Sequence, residues 1–200
     1  KMEQRAYTTR EFLYLLGKDL AGRAAEHGVV STAAKNDFPL FCPAIADSSI
    51  GIGLAEGRFR GHHNIVFDMA SDILEIARIV AESKQTGVIY FGGGTPKNYT
   101  QQTEIVAILM NQATGGHKYG IQVVTDSPQW GGLSGCTLEE SQSWGKIQKG
   151  ARMVNCHCDS TIAMPLLVSA LAEQTDLLAE RQRRAPRYRM GREFGVEFPE

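Results

Sequence analysis

Apolar positions along this chain alternate between two periods, one of about two residues and one of three to four, and the alternation predicts strands separated by helices. Near the start, Thr8-Thr9-Arg10-Glu11 sets a hydroxyl three residues before a carboxylate, the form of a capping box. Phe12, Leu13, Leu15, Leu16 and Leu20 then supply the apolar stripe of a helix. Phe38-Pro39-Leu40-Phe41-Cys42 is a compact apolar run closed by Pro43, and it reads as a strand. Asn64-Ile65-Val66-Phe67 reads as another, after which Asp68 can cap a helix whose Ile73, Leu74, Ile76, Ala77, Ile79 and Val80 keep helical spacing to about Lys84. Gly87-Val88-Ile89-Tyr90-Phe91 is a strand ending in Gly92-Gly93-Gly94, with a helix expected from about Gln101 to Asn111 and a further strand from Tyr119 to Thr125. A Gly- and Ser-rich loop leads to Thr137-Leu138-Glu139-Glu140, a second capping box for a helix reaching about Lys146. Ala151 to His157 alternates like a strand, and Thr161 to Leu178 carries one continuous apolar stripe. From about Glu180 the chain turns basic, with Arg181, Arg183, Arg184, Arg187 and Arg189 around Pro186, and reads as a solvated arm or a docking strap.

Short strands joined by helices imply parallel pairing through right-handed crossovers, because no tight turn reaches a parallel neighbour. The fold class is therefore α/β, a doubly wound, mostly parallel sheet with helices on both faces. In such sheets the ligand crevice lies outside the carboxyl ends of the strands. Those ends here carry Asp47, Gly92 to Gly94, Thr125 with Asp126, and Asp159.

Composition narrows the function classes. The 200 residues suit one domain, and 42% hydrophobic residues can form a core. A net charge of −1 provides no field to gather nucleic acid or anionic membrane. Apolar runs such as Ala163 to Val168 fall far short of the roughly 20 residues that cross a bilayer. The charged start, Lys1-Met2-Glu3-Gln4-Arg5, does not read as a signal peptide, and four cysteines fit a reducing compartment, so a cytoplasmic location is expected.

Several clusters have residue types that carry chemistry. The triple glycine lets a backbone approach a ligand closely, yet the adjoining Thr95-Pro96-Lys97 matches neither a dinucleotide fingerprint nor a P-loop. Cys156-His157-Cys158 on a strand points its imidazole away from its thiols, which argues against a metal site, and His62-His63 has no carboxylate pair beside it. Ser143-Trp144-Gly145-Lys146 is more distinctive. An amine beside an indole at a helix end can be desolvated and so made available for imine chemistry, and Glu140 one turn earlier can share a helix face with Trp144 to bind a cation. Spacing alone favours a packed Trp and a solvated Lys over this chemistry, because most lysines are surface residues.

The run Phe91-Gly92-Gly93-Gly94-Thr95-Pro96-Lys97, then Thr125 opening a loop through Gly131 and Gly135, then Glu140, Ser143-Trp144-Gly145-Lys146-Ile147, Asp159 and Pro165-Leu166-Leu167-Val168 resembles deoxyhypusine synthase in order and spacing. The upstream Phe41 to Gly51 stretch resembles that family's Pro-Ala-x-x-Asp-Gly-Ser-x-Gly segment, and the likeness runs from about Thr8 to about Glu173. It implies a Rossmann-like NAD-binding fold and a homotetramer with active sites shared between subunits. It implies oxidation of spermidine with NAD, capture of the aminobutyl group as an imine on a lysine, transfer to an acceptor amine and reduction by the retained NADH. By this resemblance Lys146 is the imine-forming lysine, and Glu140, Trp144, Asn98 and the loop of Gly131, Gly132 and Leu133 face the polyamine. NAD contacts fall at Asp47, Gly93, Thr125, Asp126, Asp159 and Ser160. No metal is implied.

Departures from the family pattern point to a particular branch. Asn98-Tyr99 stands where the family has paired histidines, Ile52 and Leu133 stand at two acidic positions, and Trp130 replaces the aspartate before the loop's first glycine. Losing two carboxylates changes which amine is held. The pattern is similar to the bacterial deoxyhypusine synthase-like branch, whose members are thought to make homospermidine or related polyamines. The leading expectation is NAD-dependent aminoalkyl transfer between amines through Lys146. The alternatives are true deoxyhypusine synthase activity on a translation-factor lysine, and a catalytically silent NAD-binding subunit of a heteromer. Residues 1–178 correspond to the C-terminal portion of the family's domain and 179–200 to a basic tail. The resemblance implies that the family's N-terminal part lies outside these residues or on a second chain.

Overall fold

The computed structural model describes residues 3–26, 28–112 and 114–199. It divides into two units, one formed by residues 1–75 with 187–196 and the other by residues 76–186 with 197–200.

In the first unit, β1 (Ala6–Tyr7) leads into α1 (Thr9–Ala21), whose Thr8 hydroxyl accepts the Glu11 amide at 3.1 Å. The second half of the expected capping box is absent, because the Glu11 carboxylate is drawn instead to the Arg5 guanidinium. Phe12 and Leu13 are buried with Tyr7 and Ile45. Helix α2 (Val29–Lys35) crosses α1 at Gly17, where a Cβ would stand 2.5 Å from the Ala34 side chain. Helix α3 (Ser49–Phe59) starts at Ser48, whose Oγ accepts the Gly51 amide, and β2 (Val66–Phe67) pairs in parallel with β1. Asp68 caps α4 (Met69–Glu82) as expected, accepting the Ser71 amide at 2.9 Å.

The strand expected over Phe38–Cys42 does not form. Pro39 and Pro43 offer no ladder N–H, and the Cys42 amide goes to the Thr9 hydroxyl at 2.9 Å. Thr9 in turn donates to buried Asp72. Of the basic segment, Arg181, Arg183 and Arg184 are helical in the second unit, not irregular, and only residues 187–196 form a strap on the first: β6 (Arg187–Arg189) pairs with β7 (Gly195–Glu197), Tyr188 meets Phe38 edge-on, and Phe194 meets Phe41. Arg10, wholly buried, donates to the Met190 and Gly191 carbonyls and to both oxygens of Glu75.

The second unit is a parallel sheet in the order β3 (Gly87–Phe91), β4 (His117–Val123), β5 (Ile147–Cys156). The α/β class and the parallel pairing thus stand as read from the sequence. Helix α5 (Thr95–Leu109) joins β3 to β4, and α6 (Leu138–Gln142) precedes β5. Val88, Tyr90, Leu138 and Ile147 form the core, with Leu138 filling the space beside Gly120. Ile89, Ile121 and Val154, on the other side of the pleat, are exposed. Helix α5 begins six residues before the expected Gln101. Helix α6 stops at Gln142 instead of Lys146, because Gly145 turns left-handed at φ 71°. The single helix expected from Thr161 to Leu178 is two, α7 (Ser160–Ala172) and α8 (Thr175–Arg184), bent by 90°.

Candidate active site

Phe91, Val123 and Cys156 are in register across the sheet, so the loops leaving the three strands emerge at one edge. There Gly92 donates to the Val123 carbonyl at 2.8 Å and Val124 to the Cys156 carbonyl at 3.0 Å. Gly93, Thr125 with Asp126, and Asp159 with Ser160 are therefore neighbours in strand order, as the sequence predicted for a ligand crevice. Gly94, at φ 72°, opens α5 without a side-chain cap, and because Pro96 has no N–H the uncapped amides of that helix start are those of Thr95 and Lys97. Asp159 differs: it caps α7 by accepting from the Thr161 hydroxyl and amide, which holds its carboxyl below the usual range. Asp47 belongs to the first unit, exposed in the turn before α3, where its amide bonds the Ala44 carbonyl.

The groups of the second unit, taken without Asp47, have the chemistry to hold a dinucleotide. Uncapped amides at a helix start suit a pyrophosphate, Gly92 is open where a Cβ would stand while Gly93 packs against Ser134, and the Asp126 carboxylate suits a ribose hydroxyl.

Lys146 sits just before β5, at the edge where the strands begin, and its side chain reaches Asn98 in the first turns of α5, with Nζ 3.0 Å from Oδ1. Both residues are half-buried. They line an open cavity of about 410 Å³ together with Gln101, Leu133, Glu140 and Trp144. Glu140 and Trp144 do not share a helix face, since Trp144 lies in the turn beyond α6 and is 73% exposed. They meet at the cavity instead. Glu140 completes the capping box, one oxygen accepting the Thr137 amide at 3.2 Å, and the Cys136 thiol and that amide keep its carboxyl below the usual range. Gly131 is a left-handed turn at φ 70° that ends the short helix Pro128–Trp130. Gly132 comes next, exposed, and of this loop Leu133 lines the cavity.

Sequence reasoning missed Lys97. It is 2% exposed and donates to the Leu133 and Cys136 carbonyls, tying the glycine loop to α5, and burial lowers its pKa. Its signal was its place directly after the triple glycine and Pro96, in a first turn that must pack on the loop.

A second omission is the buried pair Glu104 and His117, each 1% exposed, with Nδ1 3.1 Å from Oε1 and the Thr86 hydroxyl 2.8 Å from Nδ1. Burial brings the imidazole down to about 4 and pushes the carboxyl up. Between pH 6.5 and about 4 the unfolded imidazole binds a proton that the folded one refuses, so its share of stability, on the order of 3 kcal/mol at most, is lost as pH falls. Glu104 runs the opposite way, because its folded form holds a proton above 4.5, and its share is lost as pH rises through its raised pKa. Urea titrations at pH 7.5 and pH 5 check this: His117→Gln loses less stability on acidification than the wild type, and Glu104→Gln loses more. The reverse order would refute the assignment.

Residues 1–171 match the deoxyhypusine synthase family. Probable deoxyhypusine synthase 2 of Methanosarcina acetivorans is 51% identical over 169 residues, covering 84% of this chain and 49% of that protein. Its namesake in Archaeoglobus fulgidus is 48% identical, covering 82% and 53%. A deoxyhypusine synthase-like protein of Elusimicrobium minutum is 38% identical, covering 84% and 45%. The chain spans about half the length of the curated relatives it matches. Since the match extends from ahead of β1 into the last turn of α7, the chain belongs to the deoxyhypusine synthase family.

Proposed function

We propose that the chain carries the imine-forming lysine of an NAD-dependent aminoalkyl transferase that moves an aminobutyl group between polyamines, in the manner of a homospermidine synthase. The observation that supports this best is the Lys146 amine inside the cavity, 3.0 Å from a neutral amide oxygen. The amide oxygen holds the amine at a fixed point of the cavity wall, in position for attack on a carbon held there. Glu140 and the Trp144 indole offer the cation sites, by ion pairing and by cation–π contact. Leu133 presents an apolar side chain to the same space. A cavity with one exposed carboxylate suits a diamine or triamine held at one ammonium group.

NAD, when bound, supplies a hydride acceptor for the donor amine and later the hydride that reduces the product. The chain's own step is transimination. The Lys146 nitrogen attacks the C=N carbon of the oxidised donor, the donor's other amine fragment leaves with a proton, and a C=N bond to Lys146 remains. An acceptor amine then attacks that carbon and Lys146 departs as the amine.

A second reading, with a protein lysine as acceptor, is favoured by the archaeal relatives being named probable deoxyhypusine synthases. Incubating the chain with NAD and a panel of putrescine and spermidine, then identifying products by mass spectrometry, separates the two. A free triamine or tetraamine product supports the first reading. An adduct only on an added acceptor protein overturns it in favour of the second, and neither product, with no borohydride-trapped mass on Lys146, overturns both.

A further inference from the structure

Three separate hydrogen bonds hold Lys146, and each leads back to one flank of α5. The side-chain Nζ donates to Asn98. The backbone N–H donates to the Ser141 carbonyl at 3.2 Å, and the Ser141 hydroxyl accepts from Gln101 Nε2 at 2.9 Å. The backbone carbonyl accepts the His117 amide at 3.1 Å, and the His117 ring is paired with Glu104. Asn98, Gln101 and Glu104 stand three residues apart, so they form one polar stripe along the helix. Gln101, Ser141, Glu104 and His117 are all buried, between 1% and 3% exposed.

Burying such a set is not the cheap way to pack a helix, since apolar side chains of similar volume usually stabilise as well or better. What the polar set adds is register. It fixes the helix that carries Asn98 against the turn that carries Lys146, at points before and after the lysine. We propose that Gln101 with Ser141, and Glu104 with His117, are positioning pairs that set the Lys146 amine on Asn98 and so fix its direction into the cavity. Thr86 and Thr114, both donating to Glu104, hold the outer end of the stripe in place. This rests on the reading of Lys146 as the reacting amine, but its geometry does not.

The test reads Lys146 directly. Trace acetic anhydride labelling with mass spectrometry gives the rate of Lys146 acetylation relative to exposed Lys84 in the same sample. Asn98→Ala frees the amine and raises this ratio by about fivefold, the worth of one hydrogen bond. Gln101→Leu and Glu104→Leu are expected to do the same although neither residue touches Nζ, whereas Glu104→Gln, which keeps an acceptor, stays near the wild type. Should the leucine variants not fold, Ser141→Ala, which removes one hydroxyl, is expected to raise the ratio by about twofold. Unchanged ratios in the Gln101, Glu104 and Ser141 variants, with only the melting temperature lowered, would overturn the proposal and leave a structural network. Borohydride trapping with NAD and spermidine is run in parallel. There Glu104→Leu, which lies outside the cavity lining, lowers the trapping rate at saturating amine about tenfold or more, with half-saturation unchanged. A wild type that traps nothing refutes the functional reading while the labelling ratios still decide the positioning.

Discussion

Lys146→Arg is expected to keep the fold and the affinity for dinucleotide while losing all borohydride-trapped mass and at least about 10³-fold of amine turnover. Arginine preserves length and charge, and its guanidinium reaches the Asn98 amide as the ammonium does. It cannot become a neutral nucleophile near pH 7, because its pKa lies above about 12. The substitution therefore removes one property, the lone pair, and leaves packing and field in place. Stopped-flow formation of reduced nicotinamide discriminates further. If Lys146 acts only after the donor amine is oxidised, the variant still produces a single burst of reduced nicotinamide and then stalls. A variant with unaltered turnover would show that the amine serves structure alone. One that lacks the burst as well would place Lys146 in donor binding, not in covalent transfer.

Elements whose buried side is apolar were legible in the sequence, and elements whose buried side is polar were not. β3 buries Val88 and Tyr90 in strict alternation, and α4 carries a periodic apolar stripe, so both were read close to their bounds. Helix α5 buries Lys97, Gln101, Thr103 and Glu104, and hydropathy periodicity cannot see a buried face made of such residues. Its start was accordingly misplaced by two turns, and with it went Lys97 and the pairing of Glu104 with His117. Helices α2 and α3 were not anticipated at all: one is rich in β-branched residues, and the other contains Gly51, Gly53 and Gly57. The placement of Gly93, Thr125, Asp126 and Asp159 at strand ends was legible because register is set by strand pairing, whereas Asp47, read the same way, follows no strand. The Trp144 environment was not, since a left-handed Gly145 ended the helix that was expected to carry it.

The largest expected loss of stability lies in the first unit. Arg10→Met should cost roughly 3–5 kcal/mol. The guanidinium is 0% exposed and makes a two-point bond to Glu75, at 2.8 and 2.9 Å, while its third nitrogen serves the Met190 and Gly191 carbonyls at 2.8 and 3.0 Å. Methionine fills much of the volume but leaves the Glu75 carboxylate, 13% exposed, with the Thr8 hydroxyl for company, and strips two carbonyls of their donor. The strap also loses the cation beside the Phe194 ring, 5.0 Å from the centroid. Urea denaturation gives the cost, and limited trypsin digestion reports strap release, because Arg187 and Arg189 become cleavable once β6 and β7 lift from Phe38 and Phe41. Arg10→Lys retains a charge but not the fork, and falls between. The double variant Arg10→Met with Glu75→Leu recovers most of the loss, since the stranded carboxylate, not the missing attraction, accounts for the damage. A single-variant cost under about 1 kcal/mol, or a double variant no better than Arg10→Met alone, would mean that this buried pair does not hold the strap.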